Sequence, residues 1–463
     1  MQELLQQLCD LVWGLPMMGL ILLTGIWFTV RLQGVQLRRL GSGLRYAFCG
    51  EGTGEGEVSP FAALCTALAA TIGTGNIVGV ATAICTGGPG ALFWMLVAAL
   101  LGMATQYAEG FLAIRFRTVD REGRVCGGPF SYIERGLGPK WRGAARLFAA
   151  CAVFAGVFGV GTLAQVSGIS AAVQAFFEPG FDGRSGLWIL GAYRSGAVVA
   201  AGIVVTAAAA MVLAGGAQRI ARAAEAVVPF MAVGYVAVTG LLLVSNASAI
   251  PAAVGEILRG AFCPSAVTGG AIGSVLVTAQ KGIARGIFTN EAGMGTAAIA
   301  AATAKTDSPE RQGLVAMTGT FIDTVVLCTM TGLSIVLTGA GQNGGEGAAV
   351  TGLAFVRGLP FSPELSRFLL MASLVFFAFA TILGWHFYAQ RCLAYLTGNS
   401  RRAAAVYRWL CILVVFSAPY LSSDLVWCLA DLSNGLMAFP NLAALLALSS
   451  LVTCDHEKRP RSV

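Results

Sequence analysis

Long apolar runs separated by short polar connections make up most of this chain, and between Val58 and Ala108 no charged side chain interrupts the sequence. Runs near the roughly 20 residues that a helix needs to cross a bilayer fall at about 12–30, 60–86, 90–115, 147–177, 196–214, 224–246, 267–298, 313–338, 366–390, 407–422 and 427–451. The pattern predicts an all-α polytopic membrane protein of about eleven transmembrane helices, one leading helix followed by ten core helices. Ten core helices split as five plus five, and an odd number in each half inverts the second half relative to the first. The expected organisation is 1–57 for an external amino terminus, leading span and cytoplasmic linker, 58–247 for the first inverted repeat, 248–451 for the second, and 452–463 for a cytoplasmic tail.

Glycine placement sharpens this picture. Residues 71–81 read Thr-Ile-Gly-Thr-Gly-Asn-Ile-Val-Gly-Val-Ala, with Gly73, Gly75 and Gly79 in the middle of core helix 1. A break is expected there, and freed backbone groups are tolerated at membrane depth only where they line an enclosed cavity, so the break marks a binding site. The inverted repeat predicts a matching interruption in core helix 6, where Gly269, Gly270 and Gly273 come first and Gly282, Gly286, Gly293 and Gly295 follow. Small-residue helix packing is the competing reading of such glycines. A dinucleotide fingerprint is excluded, since it needs a soluble βαβ unit around it.

Composition agrees: charged residues are 11% of 463 positions, hydrophobic ones 56%, and mean hydropathy is +0.74. The net charge of +7 reflects basic loops rather than a nucleic-acid surface. Only Arg184, Arg194, Arg259, Arg357 and Arg367 fall on loops expected outside, and Lys281 and Arg285 lie within core helix 6, which leaves 23 of the 30 Lys and Arg for the inside. Positive-inside bias therefore predicts an external amino terminus and a cytoplasmic carboxyl terminus. Met1 to Asp10 holds Glu3 and Asp10 without Lys or Arg, so the first apolar run is expected to be retained rather than cleaved. Twelve scattered cysteines form no metal or redox pair. With two histidines, His386 and His456, no H-E-x-x-H and no G-x-S-x-G, an enzyme is not expected, and no cofactor is called for. Nothing repeats as the polar rings of an ion channel would.

Several long stretches carry a resemblance. Ala69 to Gly90 reads AATIGTGNIVGVATAICTGGPG and runs on as ALFWMLVAALLGMATQYAEGFLAIRFR to Arg117. Gly127 to Gly138 reads GGPFSYIERGLG, and Gly282 to Ala297 reads GIARGIFTNEAGMGTA. RQGL and FIDT follow, ending at Thr324, then FFAFATILGWHFY from Phe376 to Tyr388 and NGLMAFPNL from Asn434 to Leu442. Over about 58–450 the chain resembles the alanine or glycine:cation symporter family, whose fold is of the leucine-transporter type. The resemblance implies sodium-coupled uptake of a small neutral amino acid such as alanine, glycine or serine across a bacterial inner membrane, with discontinuous core helices 1 and 6.

A zwitterion in hydrocarbon needs a partner for each charge. Past a break at Thr74, Gly75 and Asn76, the free N–H groups of the second half-helix suit a carboxylate, while the last carbonyls of the first half suit an ammonium or sodium ion. Gly73 and Gly75 let backbone approach the ligand, and Gly270 and Gly273 are the expected counterparts in core helix 6. By the resemblance, Thr381 of core helix 8 joins Gly73 at the sodium site; alone, it would be read as bonding its own backbone. The family usually carries Ser then Thr here, whereas this chain has Ala380 then Thr381, which opens lithium or proton coupling as an alternative. Gln165 of core helix 3 is read either as a substrate contact or as an interhelical polar contact. Trp385, one turn after Thr381, is read as a cap on the substrate side chain, against an interfacial belt position. Glu109, Glu291, Asp323 and Asp431 are expected in structural ion pairs, with Lys281, Arg285 and Arg115 available, and His386 as a satisfied polar residue.

Overall fold

The computed structural model describes residues 14–457 except 51, 120–123, 180, 182–185, 191, 263–269, 343–344, 346 and 422. After α1 (Leu15–Arg31), the short α2 (Val35–Arg38) and α3 (Leu40–Cys49) lead to α4 (Pro60–Thr71), a 3-10 turn at Thr74–Asn76, α5 (Val78–Gly87) and α6 (Ala91–Arg115). A two-residue hairpin pairs β1 (Thr118–Val119) with β2 (Val125–Cys126) ahead of α7 (Pro129–Gly136), α8 (Arg142–Phe158) and α9 (Leu163–Phe177). A second hairpin, β3 (Gly186–Ile189) and β4 (Ala192–Ser195), precedes α10 (Gly196–Leu213) and α11 (Gly216–Ser245). The remainder is α12 (Ile250–Phe262), α13 (Gly270–Asn290), α14 (Thr296–Ala301), α15 (Pro309–Thr320), a π-helical stretch at Phe321–Cys328, α16 (Thr329–Leu337), α17 (Ala348–Gly358), α18 (Pro363–Thr397), α19 (Arg401–Ser417), α20 (Ser423–Ala447) and α21 (Ser449–Glu457).

Seven helical stretches among the described residues are long and apolar enough to cross a membrane, including Ala91–Arg115, Pro309–Leu337 and Pro363–Thr397. Several expected spans appear instead as shorter apolar pieces, two of which, Pro60–Thr71 and Val78–Gly87, are the halves of one interrupted helix. The fold is thus an all-α, multi-span membrane protein.

Core helix 1 breaks where the glycines stand. Ser59 caps α4 by accepting from the Ala62 N–H at 3.0 Å, Pro60 opens its first turn, and the helix ends at Thr71. Core helix 6 is interrupted at the last of its glycines, not at Gly270 and Gly273. Gly270 and Gly273 lie in the first turns of the unbroken helix α13, Gly269 lies outside the described residues, and the interruption is at 291–295. An isolated glycine costs a helix only about 1 kcal/mol, too little to break it. In Glu-Ala-Gly-Met-Gly, by contrast, Glu291, Gly293 and Gly295 adopt φ of 55°, 89° and 81°, and side chains from elsewhere take up the released N–H groups. Core helix 3 is also not one helix: α8 stops at Phe158 and α9 starts at Leu163. Beta-carbons on Gly159 and Gly161 would fall 2.6 Å from Ser433 Oγ and 2.5 Å from Trp385 Cβ, so close packing against α20 and α18 fixes glycine at this kink.

The halves of the two broken helices pair, α4 with α14 and α5 with α13, while α6 packs between α13 and α15, and α8 lies against α18 and α20.

Candidate functional site

Around the first break, some backbone groups are held and others are not. Gly73 N–H donates to Asn76 Oδ1 at 2.9 Å and Thr74 N–H to Gln165 Oε1 at 3.1 Å. Asn76 and Ile77 N–H close long 3.3 Å bonds to Gly73 and Thr74 carbonyls. Among the described residues, the N–H groups of Gly75, Val78, Gly79 and Val80 donate to nothing. These are the orphan donors of a helix start, buried and converging on the break, with the positive end of the α5 dipole behind them. Facing them, the carbonyls of Ala69, Ala70 and Thr71 accept nothing among the described residues, and the Ile72 carbonyl accepts from Thr381 Oγ1 at 3.1 Å. One short stretch thus offers a cluster of donors and a fan of hard oxygen acceptors.

The expected partners meet here. A beta-carbon on Gly73 would sit 2.5 Å from Thr381 Oγ1 and 2.9 Å from Gln165 Oε1, which puts all three residues in contact. Gln165 Nε2 donates to the Val160 carbonyl at 3.0 Å in the core helix 3 kink, and this aims its carbonyl at Thr74. Gly384 brings α18 so close to α4 that a beta-carbon there would lie 2.5 Å from Ala70 N. Ala380 is buried beside Thr381 and presents a methyl group where a serine would bring oxygen. Thr289, unforeseen from sequence, flanks Gly75, whose beta-carbon would lie 3.2 Å from Thr289 Oγ1. A cavity of about 20 Å³, room for one water, reaches Thr71 from between α4, α14 and α15.

The second break is the opposite case. Ala292 N–H donates to Asn290 Oδ1 at 3.0 Å, Gly293 and Gly295 N–H both donate to Glu109 Oε1 at 3.1 Å, and Met294 N–H reaches the Glu291 carbonyl at 3.0 Å. Asn441 Nδ2 donates to the same Glu109 oxygen at 2.8 Å and accepts at Oδ1 from the Tyr132 hydroxyl. The break in core helix 6 therefore carries its own acidic partner. Gly270 and Gly273 are one helix length away from it.

Trp385 is fully buried, which removes the belt reading, and its indole N–H donates to Glu291 Oε1 at 2.9 Å. Thr296 Oγ1 donates to the other oxygen at 2.6 Å, so two donors hold Glu291 in its left-handed conformation. Asp323 sits on the π-helical stretch and accepts from Asn76 Nδ2 at 2.7 Å and from Thr324 Oγ1 at 2.7 Å. The expectation of ion pairs is corrected: neutral donors hold all three, the backbone N–H groups of the second break with Asn441 for Glu109, the Trp385 indole and Thr296 hydroxyl for Glu291, and the Asn76 amide and Thr324 hydroxyl for Asp323. The Asp431 side chain lies outside the described residues. His386 Nε2 pairs with Gln390 Nε2 at 2.8 Å, while its buried Nδ1 has no partner among the described residues, so the expected satisfied polar residue is only half satisfied.

At one end of the broken helices, Val58 and Ala304, and Thr53 and Thr306, pair as parallel bridges. Arg117 donates to the carbonyls of Ala302, Ala304, Thr306 and Glu55 at 2.8, 2.6, 2.8 and 2.5 Å, and joins the chain entering α4 to the chain leaving α14. Burial pulls its guanidinium below the usual value, and Asp307 and Glu55 oppose that shift. Glu57 forms an ion pair with Arg391 of α18.

The sodium/alanine symporter AgcS of Methanococcus maripaludis is 42% identical over 96% of this chain and 94% of its own. A probable sodium/glutamine symporter, GlnT of Bacillus subtilis, is 36% identical over 98% and 90%. An uncharacterized transporter of Haemophilus influenzae is 46% identical over 99% and 96%. The crystal structure of MhsT in complex with L-phenylalanine matches at a TM-score of 0.59 and 16% identity over 88% of this chain and 94% of that one, a likeness of fold. A profile of the sodium:alanine symporter family matches residues 1–458, and the chain belongs to that family of secondary transporters.

Proposed function

We propose that this protein imports a small neutral amino acid, alanine, glycine or serine, with sodium, by alternating access in a bacterial inner membrane. The carrying observation is the contrast between the breaks: donors at Gly75 and Val78–Val80 are open, while those at 292–295 are filled. The substrate carboxylate sits at Thr74, Gly75 and Asn76, against the start of α5. Sodium sits at the Gly73 and Thr381 end, among the free carbonyls of α4, and needs no cofactor. Gln165 holds the broken backbone in place at Thr74, and Trp385 limits the size of the substrate side chain from one turn further along α18. Eleven spans in a five-plus-five inverted arrangement, 58–247 and 248–451, with the amino terminus outside, fit the charge bias of the loops. One sodium moving down 100 mV contributes about 2.3 kcal/mol, enough for roughly fifty-fold accumulation of a neutral substrate.

Purified protein in liposomes supplies the test. Labelled alanine uptake is expected to follow an inward sodium gradient, and uptake that ignores sodium but follows pH would overturn the ion assignment. Ala380 favours a second reading, weak sodium binding with lithium or proton as the working ion. Ala380→Ser adds an oxygen beside Thr381 and is expected to lower the sodium concentration for half-maximal uptake about five-fold, the equivalent of one polar contact near 1 kcal/mol. An unchanged sodium dependence would place the ion elsewhere.

A further inference from the structure

The basic loops between the leading span and core helix 1 do more than bias topology. A cavity of about 530 Å³ lies between α3, the start of α15 and the joint at 303–306, and its walls carry Arg39, Arg45, Lys305 and Arg311 beside Ser42 and Tyr46. Arg39 pairs with Glu310. Arg311 places its guanidinium 5.4 Å from the centre of the Tyr46 ring. No acidic partner within ion-pair distance of Arg45 or Lys305 occurs among the described residues, and Asp307 is turned to the Glu55 N–H, which it accepts at 3.2 Å. A topology signal needs charge but no cavity. Here three cations beyond the Arg39 pair converge on one concave space from three separate elements.

Two further features select the ligand. Phe48 on α3, and Leu37 on the preceding α2, are 58% and 74% exposed, and α1, an apolar helix, ends at Arg31 just before them. A ligand with a phosphate for the cavity and acyl chains for Leu37 and Phe48 fits both surfaces, and basic pockets of this kind on the cytoplasmic side of membrane proteins receive lipid headgroups. We infer that this cavity binds the phosphate headgroup of an anionic phospholipid. Thr53, Lys305 and Thr306 line the cavity and also belong to or adjoin the parallel bridges that tie the ends of both broken helices together. A headgroup spanning Arg45, Lys305 and Arg311 therefore fastens that joint to α3 and α15.

The placement on the cytoplasmic leaflet rests on the proposed topology, but the binding test does not depend on transport. Delipidated protein in detergent is titrated with short-chain phosphatidylglycerol, short-chain phosphatidylcholine or inorganic phosphate, and thermal unfolding is followed. Phosphatidylglycerol is expected to raise the unfolding temperature saturably while the other two do not, as for a ligand that binds only the folded state. The combined variant Arg45→Gln, Lys305→Gln and Arg311→Gln is expected to need on the order of a hundred-fold more phosphatidylglycerol for the same shift, since each basic side chain near a lipid surface contributes about five-fold in affinity. Lys305→Gln alone, at an exposed position, gives a smaller shift in the same direction and controls for misfolding of the triple variant. An equal response to inorganic phosphate would make the ligand a soluble anion, and an unchanged response in both variants would show that the cavity is not the site; either result overturns the proposal.

Discussion

Gly73→Ala is expected to insert and fold but to lose nearly all sodium-driven uptake. The added beta-carbon would stand 2.5 Å from Thr381 Oγ1 and 2.9 Å from Gln165 Oε1. Neither neighbour can yield cheaply, since Thr381 is also bonded to the Ile72 and Phe377 carbonyls at 3.1 Å and Gln165 to the Thr74 N–H and the Val160 carbonyl. Relief requires pushing α18 or α9 off the break, which separates the Thr381 hydroxyl from the α4 carbonyls where sodium is proposed to bind. Loss of one or two ion-directed contacts worth about 1.5–3 kcal/mol each corresponds to at least about ten-fold weaker sodium binding. Sodium-dependent alanine uptake in liposomes, alongside expression and monodispersity in detergent, measures it. Wild-type sodium affinity in this variant would show that the ion does not approach Gly73.

Glu109 should show the second large effect. One of its oxygens receives Gly293 N–H, Gly295 N–H and Asn441 Nδ2, so Glu109→Leu leaves three buried donors unpaired at about 1–3 kcal/mol each. The break would refold toward continuous helix or collapse, and uptake should vanish together with much of the thermal stability. Glu109→Gln keeps one carbonyl oxygen that can face the same three donors, and is expected to restore stability and most of the uptake. If Glu109→Gln is stable yet as inactive as Glu109→Leu, the charge of Glu109 matters for transport and its role is more than shaping the break.

The break in core helix 1 was legible because its glycines cluster around polar Thr74 and Asn76 within an uncharged run. The position of the core helix 6 break stayed open, and Gly270 and Gly273 were the wrong glycines to assign to the site, because sequence shows where glycine is permitted, not where a distant acceptor waits. Gly269, Gly270 and Gly273 looked as suitable as 291–295, and the deciding partner, Glu109, lies more than 180 residues away on α6. The polar pair Asn290 and Glu291, followed by Gly293 and Gly295 with one residue before each, was the available signal. Gln165 was read as either a substrate contact or an interhelical polar contact, and its orientation depends on the kink at 159–162, where Gly159 and Gly161 pack tightly against Ser433 and Trp385. The carboxylates suggested ion pairs with Lys281, Arg285 or Arg115, although a buried acid is equally well served by the neutral donors that only the fold brings to it, backbone N–H groups for Glu109 and side chains for Glu291 and Asp323.

The position of the substrate carboxylate in a structure determined with alanine and sodium bound tests the central claim most directly. The account predicts its oxygens within hydrogen-bonding distance of the N–H groups of Gly75 and of the first turn of α5, with sodium between the α4 carbonyls and Thr381. A carboxylate bound at 291–295, or a first break whose donors stay unoccupied with alanine present, would contradict it.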